Sequence, residues 1–290
     1  MAMMTSLWSS VADSDEAVLT MGIPLRLTAA SYFGFGLLFL ALDCSGAARW
    51  WQGVKCQPRR EMPWTDVAHI VASVTAQLAS VYPLALWLMA PLMRGRLSFD
   101  AELPSTAVAA ASLAFFAVAT EVYFYHVHRA LHHPRVYPYV HKVHHRYTAP
   151  VALECLYFHP VESMLQLGTV AFGPLLLGSH VALLYLWIVI VMFNISLHHC
   201  GHEVPCDEVP PFGSMTHQHD YHHKVFNANF GVVGVCDWLY GTRGGYDDYH
   251  ASWEAGRRRK ERESGVEDRR GLVVASLSPR RPLGVRTLAS

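Results

Sequence analysis

The sequence contains little charge. Of its 290 residues, 16% are charged and 52% are hydrophobic, the mean hydropathy is +0.18, and the formal net charge is zero. An ordinary soluble domain is less apolar and carries more charge. The composition therefore predicts a membrane protein, and we expect no nucleic-acid partner.

Closely spaced cysteines and a signal peptide are also missing. The six cysteines are scattered and form no CxxC pair, which excludes a small disulfide-stapled domain, and we interpret them as reduced thiols. The first 20 residues carry Asp13, Asp15 and Glu16 instead of a basic start followed by an apolar core. We therefore predict no cleavable signal peptide and expect the first apolar run to serve as the membrane anchor.

Long runs without charge are present instead. They cover residues 27–42, 67–93, 103–120 and 163–198. Because a helix crosses the hydrocarbon core in about 20 residues, the pattern predicts an all-α integral membrane bundle of about four spans. The fourth run is longer than one span needs and is interrupted at Gly173-Pro174 and Gly178-Ser179-His180. It could form either one long tilted helix or a helical hairpin.

The order of these runs divides the chain into four parts. We predict an N-terminal segment (1–26), membrane spans (27–120), a catalytic region (121–245) and a charged, disordered tail (246–290). The tail becomes low in complexity and rich in arginine from Arg257 onward.

Basic residues indicate the orientation, because short cytoplasmic loops carry an excess of Lys and Arg. Such residues follow the first and third runs: Arg49, Lys55, Arg59, Arg60, Arg129, Arg135, Lys142 and Arg146. Arg94 and Arg96 would face the opposite side. The count therefore predicts that the region after the third run is cytoplasmic.

Histidine is concentrated in that region. Sixteen of the 18 histidines lie between His126 and His223. Three boxes stand out: His128-Arg-Ala-Leu-His132, His141-Lys-Val-His144-His145 and His219-Asp-Tyr-His222-His223. Residues three and four apart share one face of a helix, so each box can present several imidazoles to a common point.

The number of imidazoles narrows the choice of metal site. The boxes supply eight histidines, whereas a structural zinc site needs four ligands, so two metals with open positions are predicted. Carboxylate-rich di-iron bundles use Glu-x-x-His pairs. No such pair occurs in the sequence, so a di-iron site here would be of the all-histidine membrane type.

Further motifs follow the boxes in a distinctive order. They are His159-Pro160-Val-Glu162, His199-Cys-Gly201, Asn229-Phe-Gly231 and Asp237-x-x-x-Gly241-Thr242. The series, over roughly residues 121–242, resembles the fatty acid hydroxylase / sterol desaturase superfamily. The HKVHH string is most similar to the branch of C4-methylsterol oxidases and cholesterol 25-hydroxylases, which has HSG in place of His199-Cys200-Gly201. The segment Lys55-Cys-Gln57-Pro58 also resembles a loop of that branch.

The resemblance implies a four-span enzyme of the endoplasmic reticulum with two irons at the cytoplasmic face. It would use O₂ and electrons from cytochrome b5 or its reductase to oxidise a lipid. Carried over position by position, the implied ligands are His128, His132, His141, His144, His145, His199, His219, His222 and His223. His202 and Gln218 depart from the family pattern. Whether His202 or His159 binds a metal is left open at this point.

A shared metal centre also decides the topology, since all boxes must lie on one side of the membrane. Residues 163–197 must therefore return to their starting side, which favours the hairpin, with His180 at its turn. The histidine boxes would then form a cytoplasmic cap on the bundle.

Smaller roles are expected for several other residues. His126, His133, His198 and His217 would pack around the ligands, and Glu121, Asp220 and Asp237 are candidates to hydrogen-bond the free ring nitrogens. The aromatics Tyr82, Trp87, Tyr185, Trp187 and Phe193 are interpreted as packing between spans or as interfacial belts.

A lipid hydroxylase or desaturase is the main hypothesis, with a sterol-type substrate ahead of a fatty acyl or sphingoid chain and of a carotenoid. The alternative from another class is a histidine-rich metal transporter. A transporter would carry polar ligands within its spans and a flexible histidine-rich loop. The spans here are nearly free of such residues, which favours the enzyme. All eight box histidines are present, which argues against an inactive scaffold.

Overall fold

The computed structural model describes residues 8, 11, 14–45, 54–57, 62–204 and 207–263. Nearly all regular structure in this part of the chain is helical, as predicted. The helices are α1 (Ile23–Cys44), α2 (Trp64–Ala79), α3 (Val81–Arg96), α4 (Thr106–Leu131), α5 (Pro160–Leu177), α6 (Val181–His198), α7 (Met215–Val225), α8 (Val235–Tyr240) and α9 (Tyr246–Glu263). A π-helical turn, Val18–Gly22, leads into α1, and 3₁₀ helices cover His141–Arg146 and Ala152–Leu156.

Among the described residues, four stretches are long and apolar enough to cross a membrane, which confirms the predicted membrane bundle. They are Val18–Cys44, Trp64–Arg96, Thr106–Leu131 and Val181–His198. The second stretch consists of two helices, because Ser80 leaves the helical conformation between α2 and α3 (φ −130°, ψ −66°).

The fourth apolar run forms the predicted hairpin of α5 and α6. Gly178 ends α5 in the left-handed conformation (φ 66°), which a residue without Cβ adopts at little cost. His180 then caps α6, because its Nδ1 accepts a hydrogen bond from the backbone N–H of Ala182 at 3.1 Å. The backbone of Ser98 bonds to residues 179 and 181, so the end of α3 lies beside this turn.

Packing of α1 against α6 and of α4 against α5 holds the bundle together. Tyr32 of α1 is fully buried, and its hydroxyl donates to the carbonyl oxygen of Leu153 at 2.8 Å. This bond ties α1 to the 3₁₀ helix beneath the histidine boxes. Burial of apolar side chains around it contributes most of the stability of such a core.

Short strands fix the connections on the histidine side of the bundle. β1 (Val54–Lys55) pairs antiparallel with β2 (His202–Glu203), and β3 (Glu208–Val209) pairs antiparallel with β4 (Gly213–Ser214). The second pair leads directly into α7, which carries the third histidine box.

The chain divides into two compact units, Met1–Tyr246 and Asp247–Ser290. The sequence analysis predicted disorder from residue 246, whereas α9 extends to Glu263. Two features favour a helix there: Asp247 and Asp248 lie in its first turn, and Glu254 pairs with Arg258 one turn later at 2.8 Å. Residues 264–290, which include the rest of the predicted tail, lie outside the described residues.

Candidate metal centre

The structure gathers the nine histidines that the resemblance implies as ligands into two groups. Ring nitrogens within each group lie within 4.8 Å of one another. The first group contains His128, His132, His141, His145 and His222, and the second contains His144, His199, His219 and His223. Four different chain segments supply them: the end of α4, the His141–Arg146 helix, the end of α6, and α7.

The adjacent histidines of the second box and those of the third box are divided between the two groups. In the second box, His145 joins the first group and His144 the second. In the third box, His222 joins the first group and His223 the second. Successive residues point about 100° apart in an α-helix and about 120° apart in a 3₁₀ helix, so an adjacent pair of either kind can serve two neighbouring centres. The histidines of the first box, His128 and His132, share one group as predicted, whereas the second and third boxes each supply both groups instead of one point.

Distances within each group are short, at 3.0–3.4 Å between neighbouring Nε2 atoms. In the first group, the Nε2 atoms of His132, His141 and His222 lie 3.0–3.2 Å from Nε2 of His145. In the second, Nε2 of His219 lies 3.0 Å from that of His199 and 3.1 Å from that of His223. Two nitrogens that bind one metal at about 2.1 Å and at right angles are about 3.0 Å apart.

The opposite ring nitrogens show which way the imidazoles face. Nδ1 of four histidines donates to a backbone carbonyl oxygen: His128 to Phe230 (2.8 Å), His222 to Ala228 (2.7 Å), His199 to Ile195 (2.8 Å) and His223 to Tyr147 (3.2 Å). A carbonyl accepts only, so Nδ1 carries the proton and Nε2 of the neutral ring presents a lone pair. Lone pairs that converge at about 3 Å repel one another unless a cation lies between them.

Burial keeps the rings neutral. It lowers the pKa of the eight grouped histidines that lie outside the membrane spans, and repulsion from neighbouring imidazoles lowers it further for each of them. The pKa of His199 falls to about 4. Neutral imidazole is the form that binds metal, so both groups are competent to do so near pH 7.

One carboxylate contacts a ring of the first group directly. Oε1 of Glu162 lies 2.7 Å from Nδ1 of His141, and both side chains are buried. Glu162 belongs to the motif His159-Pro160-Val-Glu162, and no role was predicted for it from the sequence. Its position could have been anticipated, because His159 caps α5 and places residue 162 in the first turn, on the side of the boxes.

The three acids predicted to hold ring nitrogens have other partners. Glu121 accepts hydrogen bonds from the backbone N–H groups of residues 232, 233 and 236 at 2.8–3.0 Å. Asp237 accepts from the N–H groups of residues 230 and 231. Together they fix the loop whose Phe230 carbonyl accepts from His128. Asp220 instead accepts a bond from Gln57 Nε2 at 3.0 Å.

Four further histidines lie outside both groups at helix ends or on the surface. Nδ1 of His159 caps α5, and His180 occupies the predicted hairpin turn. His126 and His133 are exposed, and their rings bond to nearby backbone of their own segment.

His198, His202 and His217 also lie outside the groups. His198 is buried one residue before His199, and its ring centre lies 5.9 Å from that of His219. His217 is buried against the ring of Tyr246. His202, whose ligation was left open, pairs through Nε2 with Asp43 Oδ1 at 3.0 Å. Gln218 bonds to the carbonyl of residue 213.

A cavity of about 280 Å³ opens from the histidines into the bundle. Six histidines line its inner end: His128, His141, His144, His198, His199 and His219. Its walls are largely apolar and come mostly from α4, α5 and α6. They include Phe124 of α4, Val191 of α6 and Phe158, which lies just before α5. A smaller cavity of about 70 Å³ shares these three residues and continues toward α1 and α3.

The sequence analysis missed most of this lining. Trp187, which was predicted to pack between spans, lines the 280 Å³ cavity, and Tyr82 lines the 70 Å³ cavity. Trp87 is 61% exposed, in agreement with a position facing lipid. No periodic signal marks the side of α6 on which Trp187 lies, because apolar residues surround the whole helix.

Comparison with known proteins gives consistent results. A family model described as fatty acid hydroxylase matches residues 113–242. The chain is 33% identical to the human fatty acid hydroxylase domain-containing protein 2, over 73% of this chain and 63% of that protein. It therefore spans less than two thirds of this relative's length. No solved structure matches the chain.

Two further relatives are covered more completely. The chain is 31% identical to a putative methylsterol monooxygenase of Dictyostelium discoideum, over 73% of this chain and 80% of that protein. It is also 31% identical to methylsterol monooxygenase 2-2 of Arabidopsis thaliana, over 74% of this chain and 82% of that protein. With the histidine motifs and the helical membrane bundle that carries them, these similarities show that the chain belongs to the fatty acid hydroxylase / sterol desaturase superfamily.

Proposed function

We propose that this protein is a membrane di-iron oxygenase that hydroxylates or desaturates a lipid. One observation carries the proposal: two groups of neutral, buried imidazoles with converging lone pairs lie at the end of an apolar cavity within a membrane bundle. A metal centre at the end of such a cavity is suited to an apolar substrate and excludes bulk water.

The donor set favours iron over a structural metal. The first group offers five nitrogens, one more than the four that close a tetrahedral zinc site. We infer one iron in each group, with all nine histidines as ligands. When bound, the iron pair would supply the reduction of O₂ and the oxidation of an unactivated C–H bond.

The chain's own residues contribute position and environment. Four backbone carbonyls fix the tautomer and the direction of the rings that they bond. Glu162 does the same for His141 and places a carboxylate beside an otherwise neutral ligand set. The apolar walls of the cavity orient the substrate and keep water away from the site.

The substrate class is proposed from the relatives. Two of them are named methylsterol monooxygenases, which favours a sterol-type substrate. The family description favours a fatty acyl or sphingoid chain as the alternative, with a carotenoid behind both. The lining of the cavity suits the apolar part of any of these.

A histidine-rich metal transporter is the remaining alternative. Transport needs ligands that release the metal along a path. The two groups here are instead held by backbone carbonyls, and the described candidate spans carry few charged side chains. These features favour a resident metal centre.

Electrons would come from a separate partner protein, and cytochrome b5 or a reductase is suited to this role. Exposed Arg129, Arg135, Lys142 and Arg146 lie on the histidine side of the bundle. Such an excess of basic residues supports a cytoplasmic orientation of this face. We propose the endoplasmic reticulum as the membrane because the family resemblance implies it.

The proposal is tested in a yeast strain that lacks its own C4-methylsterol oxidase. We expect the intact chain, but not the His144→Ala variant, to remove accumulated 4-methylsterols, as measured by mass spectrometry. A new hydroxylated acyl species would move the substrate to fatty acids or sphingolipids. Iron analysis of the purified protein tests the metal independently, and a preparation that binds zinc and no iron would overturn the di-iron proposal.

A further inference from the structure

The short helix α8 exposes a continuous apolar surface. Trp238 and Leu239 are each 65% exposed, Tyr240 is 49% exposed and Val235 40%. Exposure of large apolar side chains at neighbouring positions is unfavourable in water. Such a surface indicates a site of interaction with another molecule or with a membrane.

The opposite face of α8 is fixed to the bundle. Cys236 and Asp237 are buried. The N–H of Cys236 donates to Glu121 at 2.9 Å, and Asp237 accepts from the loop before α8. The orientation of the helix is therefore set, and its exposed face is its natural outer face.

The position of α8 corresponds to the edge of the membrane. The ring of Tyr240 stacks on Tyr125 of α4 with centres 5.1 Å apart, and it meets His126 edge-on at 5.6 Å. The 26 residues of α4 rise about 39 Å, whereas the hydrocarbon core is about 30 Å thick. If the hydrocarbon core of the bilayer begins at the apolar start of α4, it ends near Tyr125. Because Tyr240 stacks on Tyr125, α8 then lies at the level of the lipid headgroups.

The exposed surface of α8 continues the lipid-facing surface of α4. Val118 is 65% exposed and Val122 43%. Together with His126 they occupy positions i, i+4 and i+8, which form one stripe along the helix. Tyr240 packs on the last residue of this stripe. The same environment that covers the stripe, namely lipid, would therefore reach α8.

We propose that α8 is an interfacial membrane anchor, with Trp238 and Leu239 inserted into the phospholipid headgroup region on the histidine side of the bilayer. Tryptophan and tyrosine are enriched at this depth because their rings are apolar and carry one polar group.

The anchor has a consequence for the cavity. Val232 and Val233, in the loop that leads into α8, line the main cavity beside Thr120 and Phe124 of α4. Insertion of α8 would hold this edge of the cavity against the bilayer, where a lipid substrate is dissolved. The proposal concerns membrane depth alone and does not depend on the reaction that the protein catalyses.

Fluorescence quenching tests the depth of Trp238. The full chain and its Trp238→Phe variant are reconstituted in phosphatidylcholine bilayers, and the difference between their emissions isolates Trp238 from the other tryptophans. We expect lipids brominated near the headgroup to remove most of this component and aqueous iodide to remove little of it. Strong quenching by iodide, without quenching by brominated lipid, would overturn the proposal.

A second probe covers the case in which Trp238→Phe disturbs the fold. Leu239→Trp, made in the otherwise unchanged chain, adds an indole at the neighbouring position, whose exposure equals that of Trp238, and the emission that it adds is compared with that of the intact chain. We expect the same preference for brominated lipid. If both probes report water, α8 is a surface helix and the anchor is excluded, whatever the enzymatic activity.

Discussion

Nδ1 of His141 lies 2.7 Å from Oε1 of Glu162, and neither side chain is reached by solvent. A buried carboxylate at this position aligns the imidazole and makes its other nitrogen a better donor to a metal. Among the described residues it is the one carboxylate hydrogen-bonded to a ring of either histidine group.

Replacement of Glu162 should therefore weaken metal binding more than folding. We expect Glu162→Ala to lower iron affinity about 10–100-fold, as is usual for a residue that orients a ligand. Glu162→Gln keeps an oxygen that can accept from Nδ1 and should lose less. Iron affinity is measured by competition with a chelator. Glu102→Ala, which removes an exposed carboxylate, serves as the control, and equal affinities in Glu162→Ala and this control would contradict the role assigned to Glu162.

The division of the HH pairs gives a second prediction. His144 and His145 are adjacent in sequence but belong to different groups. We expect His144→Ala and His145→Ala each to lower the iron content from two ions per chain to about one, because each variant removes a ligand of one group only. Iron per chain is measured by elemental analysis of purified protein. His126→Ala should retain both ions, and loss of both ions in each ligand variant would instead indicate one inseparable centre.

The set of metal ligands could be predicted from the sequence, because clustered histidines at helical spacing are typical of a metal site. All nine implied ligands lie in the two groups, and the requirement that they meet also predicted the hairpin of α5 and α6. The assignment to groups could not be predicted from helical spacing. The second box is a 3₁₀ helix in which His145 departs from helical geometry (ψ 16°), so its side-chain directions differ from those of an α-helix.

The acids show a different limit of sequence reasoning. Glu121, Asp220 and Asp237 are close to histidines in the motif order, yet the carboxylate that bonds a ring is Glu162. Hydrogen bonds to backbone N–H groups depend on how the loop after α7 folds back onto α4, and no local pattern encodes this contact. The cavity lining was missed for a similar reason, since α6 is apolar on every side.

Glu121 should be important for stability rather than for chemistry. Its carboxylate accepts three backbone N–H groups. Glu121→Gln replaces one acceptor oxygen by a donor and leaves buried N–H groups unpaired, which costs about 1–3 kcal/mol each. We expect a lower melting temperature in thermal unfolding, together with increased proteolysis in the loop of residues 228–236. Glu121→Asp retains both oxygens and should lose less, whereas an unchanged melting temperature in Glu121→Gln would be inconsistent with this role.

Filling the cavity should block the substrate without affecting the metal. Val191 lines both cavities, so Val191→Phe reduces their volume where they join. We expect KM to rise and turnover to fall at least about tenfold, which corresponds to ~1.4 kcal/mol, while iron content stays constant. Leu186→Phe adds bulk to the exposed side of the same helix and should behave like the original chain. If Val191→Phe turned over lipid normally, the substrate would bind elsewhere.

Removal of metal should destabilise the protein, because the converging lone pairs of each group then face one another without a cation. A ligand present at 1,000 times its Kd stabilises the folded state by about 4 kcal/mol, and this contribution is lost with the metal. We expect a chelator to lower the melting temperature and ferrous iron to restore it. The double variant His144→Ala with His145→Ala should show a smaller shift, since each of its groups has already lost a ligand. If the chelator extracted the metal and left the melting temperature unchanged, the imidazole positions would be held by the protein alone, and the argument for a cation from converging lone pairs would fail.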